Sequence, residues 1–337
     1  MIPQIRGKTA MVTGGTGSIG SEIVKQLLSG GAEKVVVFSR DEIKHFMLKK
    51  RIIDERLETV VGDVRDYNSI KRAFDANDFD IIYHAAAMKH VVVCDKFPLE
   101  CSRTNILGTQ NVVDLARSRG IPGLIAISTD KAAAPVNVMG ASKLISEAIA
   151  LNSGYTCVRF GNVASSRGSV IPVFIDNLMN GNPISITNPE ATRFIIGIPD
   201  AVRLVMQATE IARGGEVFIL KMKAFRLGDL LDVILDASQE TGIMRGRADI
   251  RETGLIAGEK LHEDLISPTE AGSLYDLGDK YVILRSADRS SLYPDIVRAD
   301  LSRYTSADVS LASRSYLKEM VMHYINSIQG SHNVPGT

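Results

Sequence analysis

Residues 8–31, KTAMVTGGTGSIGSEIVKQLLSGG, constrain the fold more than any other stretch of the chain. A short apolar run ends in glycines. Behind it, Ile19, Ile23, Val24, Leu27 and Leu28 recur at helical spacing until glycines stop the pattern. This reads as a strand, a tight turn and a helix start. Gly14, Gly17 and Gly20, with Thr16, Ser18 and Ile19 in the same loop, would let backbone approach a pyrophosphate. There the unpaired N–H groups and the dipole of a helix favour negative charge.

The unit then repeats. KVVVF (34–38), LETVVGD (57–63), DIIYHAAA (80–87) and GLIAIST (123–129) read as strands, and 42–56, 67–76 and about 99–119 as helices. The strands are continuous apolar runs rather than alternating ones, which suits parallel strands covered on both faces. The fold expected is α/β, a Rossmann-type doubly wound parallel sheet with a smaller C-terminal substrate-binding domain. Residues 1–160 form the dinucleotide-binding domain in this reading. Residues 161–285 form mainly the substrate domain, with some segments returning to the main sheet. Residues 286–337 are a C-terminal extension with a helix near 311–327 and a polar end, GSHNVPGT, that frays.

The second strand bears on which dinucleotide is bound. Ser39 and Arg40 stand where an NAD site usually has an acidic residue, and a hydroxyl with a guanidinium suits a 2′-phosphate. NADP is therefore favoured. The alternative is NAD, with Asp41 taking the ribose and Arg40 a solvated charge. Asp63, followed by Val64, sits where a carboxylate would contact adenine, and Ala85, Ala86 and Ala87 are small where a strand end passes under a cofactor.

Composition narrows the partners. Lysine plus arginine and aspartate plus glutamate both number 39, so no long-range field draws in nucleic acid. Cys94, Cys101 and Cys157 show no CxxC spacing and no metal cage. The opening residues read as structured sequence without a secretory leader, and no apolar run reaches roughly 18 residues, enough to span a membrane. A reduced, cytoplasmic protein is expected.

TGGTGSIG, HAAAMKHV, STDKA, NVMGASK, RFGNV, SRGSVIPVF, TRF and GEKLHEDL occur in that order. Together they resemble the extended short-chain dehydrogenase/reductases that act as UDP-N-acetylglucosamine 4,6-dehydratases in polysaccharide biosynthesis, from about residue 6 to residue 285. The resemblance implies a hydro-lyase acting on a UDP-sugar. Hydride leaves C4 for the nicotinamide, water is lost across C5–C6, and hydride returns to C6. It implies that Asp130 is the acid for water loss and Lys131 the base at C5. Thr129 would hydrogen-bond the C4 oxygen, and Lys143 would bind the nicotinamide ribose. Asn162 stands where the family contacts the diphosphate, and Lys89, Thr192, Arg193 and Glu259 fall in matching substrate motifs. Arg167 and Ser169, beside a predicted helix start, would clamp phosphate and sugar. Such proteins usually form homo-oligomers through two sheet-flanking helices.

Two positions depart from the pattern. Met139 occupies the place of the superfamily's tyrosine, and a thioether cannot exchange a proton. A subset of the dehydratases shares NVMGASK, which moves the C4 proton to a route through Thr129, Asp130 or water. Ile256-Ala257 replaces the Arg-Pro that often precedes GEK, so one nucleotide anchor is missing. His262 is expected to be structural, on the apolar side of a short helix. Two other readings fit part of this pattern. A nucleotide-sugar 4-epimerase would not need the Asp-Lys pair, and a non-catalytic dinucleotide-binding regulator would not need any of the four catalytic candidates.

Overall fold

The computed structural model describes residues 5–332 apart from residues 245 and 295. Its first 160 residues alternate as the pattern requires. The order is β1 (Thr9–Thr13), α1 (Ser18–Ser29), β2 (Lys34–Ser39), α2 (Glu42–Arg51), β3 (Leu57–Val61), α3 (Tyr67–Asp75) and β4 (Ile81–His84). Then come α4 (Val91–Lys96), α5 (Pro98–Ser102), α6 (Gly108–Ser118), β5 (Gly123–Thr129), α7 (Val138–Asn152) and β6 (Thr156–Phe160). The next elements are β7 (Asn162–Val163), α8 (Val170–Asn180), β8 (Ile184–Ile186), β9 (Thr192–Ile196), α9 (Ile198–Ile211) and β10 (Glu216–Leu220). They are followed by β11 (Lys223–Arg226), α10 (Leu227–Glu240), β12 (Ile250–Glu252), β13 (Asp264–Ile266) and β14 (Leu274–Asp276). The last are β15 (Lys280–Leu284), β16 (Val297–Arg298), β17 (Tyr304–Thr305) and α11 (Arg314–His332).

The chain divides into two compact units. Unit 1 comprises residues 1–160, 199–221 and 265–303, and holds a ten-stranded sheet in the order β16-β14-β15-β10-β6-β5-β4-β1-β2-β3. Strands β3 through β10 run parallel, and β15, β14 and β16 add an antiparallel edge. The order 3-2-1-4-5-6 is that of a dinucleotide-binding sheet, and it places the carboxyl ends of β1 and β4 side by side. Strands β4 and β6 are buried along their full length, as continuous apolar runs demand.

Unit 2 comprises 161–198, 222–264 and 304–337. Its small sheet is β11-β9-β7, and a parallel pair joins β12 to β8. Its core is aliphatic: Ile175 of α8, Leu230 and Ile234 of α10, and Val321 and Ile325 of α11 are fully buried together. Residues 286–337, expected as an extension, are thus divided between the units. From 304 onward they contribute α11 to a core that α8 and α10 cannot close alone.

One local expectation changes. The helix anticipated over 99–119 is built from α5, a π-helical turn at Arg103–Leu107 and α6. The three valines 91–93 form the start of α4, where tertiary context overrides β propensity in a six-residue segment. Of the polar end expected to fray, residues 330–332 close α11, and 333–337 lie outside the described residues. No helix among the described residues is long and apolar enough to cross a membrane.

Candidate active site

The glycine turn forms a cradle. Gly14 has a φ of 66°, and a Cβ there would lie 2.7 Å from the Ala86 nitrogen, so only glycine lets β1 turn against the chain leaving β4. Ala85 is tied to that turn through a bond from its N–H to the Thr13 carbonyl, 3.1 Å. Gly17 is the N-cap of α1 with no side-chain cap, and the first turn carries no acidic residue. Thr16, Ser18, Ile19 and Gly20 lie at this helix N-terminus, whose partial positive charge favours an anion. This arrangement fits a dinucleotide pyrophosphate.

The end of β2 separates the candidate 2′-site groups. Asp41 caps α2, accepting from the Lys44 N–H at 3.0 Å, and pairs with the Lys44 ammonium at 2.8 Å. Arg40 is 54% exposed and touches Asp63 only at 3.8 Å. Asp63 is instead gripped by Arg65, whose Nη2 lies 2.7 Å away. Burial pushes the Asp63 carboxyl up, but the Arg65 donors outweigh it and hold the group below its ordinary value. Val64 is buried behind it.

At the carboxyl end of β5 the chemistry is concentrated. Asp130 is 0% exposed. Its Oδ1 accepts from Thr129 Oγ1 at 2.6 Å, from the Lys131 N–H at 2.9 Å and from Lys131 Nζ at 3.1 Å. Its Oδ2 has no partner among the described residues, and neither has the buried Ser128 hydroxyl. Burying such atoms unpaired costs free energy, and both remain open to a hydrogen-bonding ligand. Helix α7 holds this turn in place: a Cβ on Gly140 would collide with the Lys131 carbonyl oxygen, so glycine lets the helix lie against it. Lys143, one turn further along α7, donates to the Ile127 carbonyl at 2.6 Å. Burial pushes its ammonium below its ordinary value, against the pull of Glu147.

Met139 precedes Lys143 by four residues and is 4% exposed, packed with Cys94, Cys101, Met88, Val91 and Val138. The position is thus occupied by core packing. Lys89 lies on the exposed loop beyond β4, which ends at His84, and not on the strand itself.

The remaining predicted residues lie in unit 2, where three of them meet. Arg193 on β9 pairs with Glu259 at 2.6 Å and donates to the carbonyls of Thr192 at 2.8 Å and Leu261 at 3.1 Å. Thr192 bonds His262 Nδ1 at 2.8 Å and Ser306 Oγ at 2.7 Å. No helix forms over GEKLHEDL, and His262 sits on a bent loop tied to β9, because side-chain bonds to Thr192 and Arg193 anchor the segment. Asn162 begins β7 and Arg167 is exposed; Ser169 is the N-cap of α8, its hydroxyl buried without a partner among the described residues.

The sequence matches the polysaccharide biosynthesis protein family over residues 10–285. The chain belongs to that family. This polysaccharide biosynthesis protein is 38% identical over 329 residues to an uncharacterized membrane protein of Methanocaldococcus jannaschii, covering 94% of this chain and 96% of that one. It is 36% identical over 333 residues to a UDP-glucose 4-epimerase of Rickettsia rickettsii, covering 94% and 95%. Among solved structures it is similar to Pen from Bacillus thuringiensis, with a TM-score of 0.87, 33% identity and coverage of 95% and 98%. DesIV, a dTDP-glucose 4,6-dehydratase from Streptomyces venezuelae with NAD and TYD bound, shares the fold at a TM-score of 0.70 and 22% identity, covering 96% and 98%. The fold is the Rossmann-type fold of the extended short-chain dehydrogenase/reductases.

Three groups of the polysaccharide biosynthesis protein escaped sequence reasoning. Asn105, in the π-helical turn, clamps the loop after β4, accepting from the Met88 N–H at 2.7 Å and donating to Ser142 Oγ at 2.8 Å. His84 lies buried between Thr13 Oγ1 at 2.7 Å and Thr109 Oγ1 at 3.0 Å. Because Thr109 donates to the Asn105 carbonyl at 2.5 Å, His84 donates from Nε2 and accepts at Nδ1, a neutral ring. His45 underlies Ser39. No periodic or spacing signal marks Asn105 or His45, and His84 opens HAAAMKHV without anything in the motif to show its buried partners, since each is defined by hydrogen bonds that only the folded neighbourhood makes. Among the described residues no group of three His, Cys, Asp or Glu side chains is placed to hold a metal.

Proposed function

We propose that this chain is a nucleotide-sugar 4,6-dehydratase that uses bound NADP and acts on UDP-N-acetylglucosamine. The observation that carries the reading is the Thr129–Asp130–Lys131 arrangement, a buried carboxylate with a hydroxyl and an ammonium on one oxygen and nothing on the other. The glycine cradle and the uncapped α1 terminus support a dinucleotide. The commitment of Asp41 to Lys44, beside Ser39 and the exposed Arg40, supports NADP over NAD. A bound nicotinamide would supply the acceptor for hydride from C4 and its donor to C6.

The proton balance needs no phenol. Thr129 Oγ1 takes the proton of the C4 hydroxyl as it passes its own to Asp130 Oδ1. Asp130, now a neutral acid, gives that proton to the C6 hydroxyl, which leaves as water. Lys131, having released its ammonium proton to solvent, removes the C5 proton as the free amine; the proton it then holds exchanges with solvent before one is delivered to C5 as hydride arrives at C6. Each residue ends as it began. The proton released by oxidation is the one that water loss consumes, so Met139 can remain in the core. Lys143 would hold the nicotinamide ribose. Lys89, Asn162, Arg167 and Ser169 would contact the UDP-sugar, whereas Thr192, Arg193 and Glu259 are engaged in their own network. A second copy would dock on the apolar face that Leu107, Leu144 and Ile145 expose on helices flanking the sheet, and the enzyme would work in the cytoplasm.

The 36% identical relative named as a 4-epimerase makes C4 epimerisation the second reading. Incubation with UDP-N-acetylglucosamine in deuterated water separates the two. Loss of one water with deuterium at C5 establishes the dehydratase. A sugar of unchanged mass with altered C4 configuration establishes the epimerase, and an unaltered sugar across a panel of nucleotide sugars defeats both.

A further inference from the structure

We infer that His45 is a positioning residue that fixes the Ser39 hydroxyl as a hydrogen-bond donor and thereby selects a dinucleotide bearing a 2′-phosphate. The inference rests on the NADP reading above and adds a residue that no motif marks.

The imidazole of His45 is 4% exposed beneath the end of β2. Its Nε2 lies 2.8 Å from Ser39 Oγ and 3.0 Å from the Ser39 carbonyl oxygen. Its Nδ1 is buried with no partner among the described residues. One nitrogen must therefore go unsatisfied, and the two tautomers differ in which kind. With the hydrogen on Nδ1, the ring would bury an orphan N–H, the rarer and costlier defect. With the hydrogen on Nε2, only a lone pair is left over. The carbonyl oxygen, which also accepts from the Gly62 N–H at 2.9 Å, can only be an acceptor, and this agrees with an Nε2 donor.

That choice determines Ser39. Its oxygen receives the shared Nε2 hydrogen, so its own hydrogen is directed elsewhere. In this structure the neighbour on that side is Thr16 Oγ1 in the glycine loop, 3.0 Å away. A phosphate oxygen, which only accepts, is a fitting replacement for Thr16 as recipient. A ribose 2′-hydroxyl needs an acceptor for its own hydrogen, and here the nearby carboxylates are committed, Asp41 to Lys44 and Asp63 to Arg65. His45 thus makes the end of β2 a donor site, which the guanidinium of Arg40 reinforces.

The test is titration calorimetry of the full-length protein, freed of co-purified dinucleotide, with NADP and with NAD. The wild type is expected to bind NADP more tightly. His45→Phe should lose about tenfold in NADP affinity and little in NAD affinity, whereas His45→Gln, which keeps an N–H donor, should lose much less. Ser39→Ala should lose a similar factor, with no further loss in the double variant, because both act through one hydroxyl. Equal weakening toward both dinucleotides, or additive losses, would overturn the role of His45 while leaving the NADP reading intact. A wild type that prefers NAD would overturn the cofactor reading and the inference with it. Melting curves of both His45 variants separate a folding defect from a binding one.

Discussion

Asp130 in unit 1 and Arg193 in unit 2 are both buried, charged and close to the end of a strand, yet they are satisfied differently. Asp130 accepts three bonds at one oxygen and leaves the other bare. Arg193 distributes its donors over Glu259, Glu263 and two carbonyls. A bare buried oxygen is a standing cost that packing does not explain, whereas a closed network supports its own segment. Candidate residues that look alike in a motif list therefore divide into groups with an open hydrogen-bonding atom and groups whose bonds are closed within the fold.

The largest effect should come from Asp130→Asn. The amide keeps the shape and cannot release a proton, so turnover should fall about a thousandfold while nucleotide binding persists; single-turnover kinetics beside calorimetry would show it. If binding fell as far as turnover, Asp130 would join Arg193 as a structural group. Arg193→Met should act on stability instead, costing about 3 kcal/mol in urea unfolding by removing the buried cation beside Glu259 and Glu263, with Glu259→Gln in that background recovering part of the loss. An Arg193→Met protein of wild-type stability but much higher KM would erase the contrast.

A third effect sharpens what lies beneath the unit 1 site. Burial, with the Lys143 ammonium adding to it, pushes the His84 imidazole down from 6.5 to about 3. Below pH 6.5 the unfolded ring takes up a proton that the folded ring refuses, so stability present at neutral pH is lost as pH falls. Between pH 6.5 and 5 the loss from this one group is about 2 kcal/mol. Urea midpoints of wild type and His84→Gln at pH 7 and pH 5 should show a flatter dependence in the variant. The smallest effect is that of Met139→Tyr. A phenol forced among Cys94 and Cys101 should cost about 1–2 kcal/mol in stability and leave the rate no higher. A tenfold gain in rate would show that the Thr129–Asp130 path is an inferior substitute.

Much of unit 1 was legible because its determinants are local. Continuous apolar runs alternate with helical ones, and the requirement for Gly14 is written in a turn of a few residues. STDK likewise announces its turn, since all its partners are adjacent. GEKLHEDL misled for the opposite reason. Its apolar spacing suits a helix, but Glu259 and His262 are claimed by Arg193 and Thr192, some seventy positions earlier. The 99–119 stretch shows an intermediate case, in which helical periodicity was readable and the π turn that aims Asn105 was not.

By itself the sequence determined the alternation of elements, the glycine turn between β1 and α1, and the Thr-Asp-Lys run at the end of β5, because backbone sterics and hydrophobic period act over a few neighbours. Only the tertiary structure decided which polar atoms go unpaired, that Met139 is packed into the core, that Asp41 is diverted to cap its own helix, and that His45 lies under Ser39. Burial and hydrogen-bond satisfaction are properties of the whole assembled neighbourhood, and no single segment carries them.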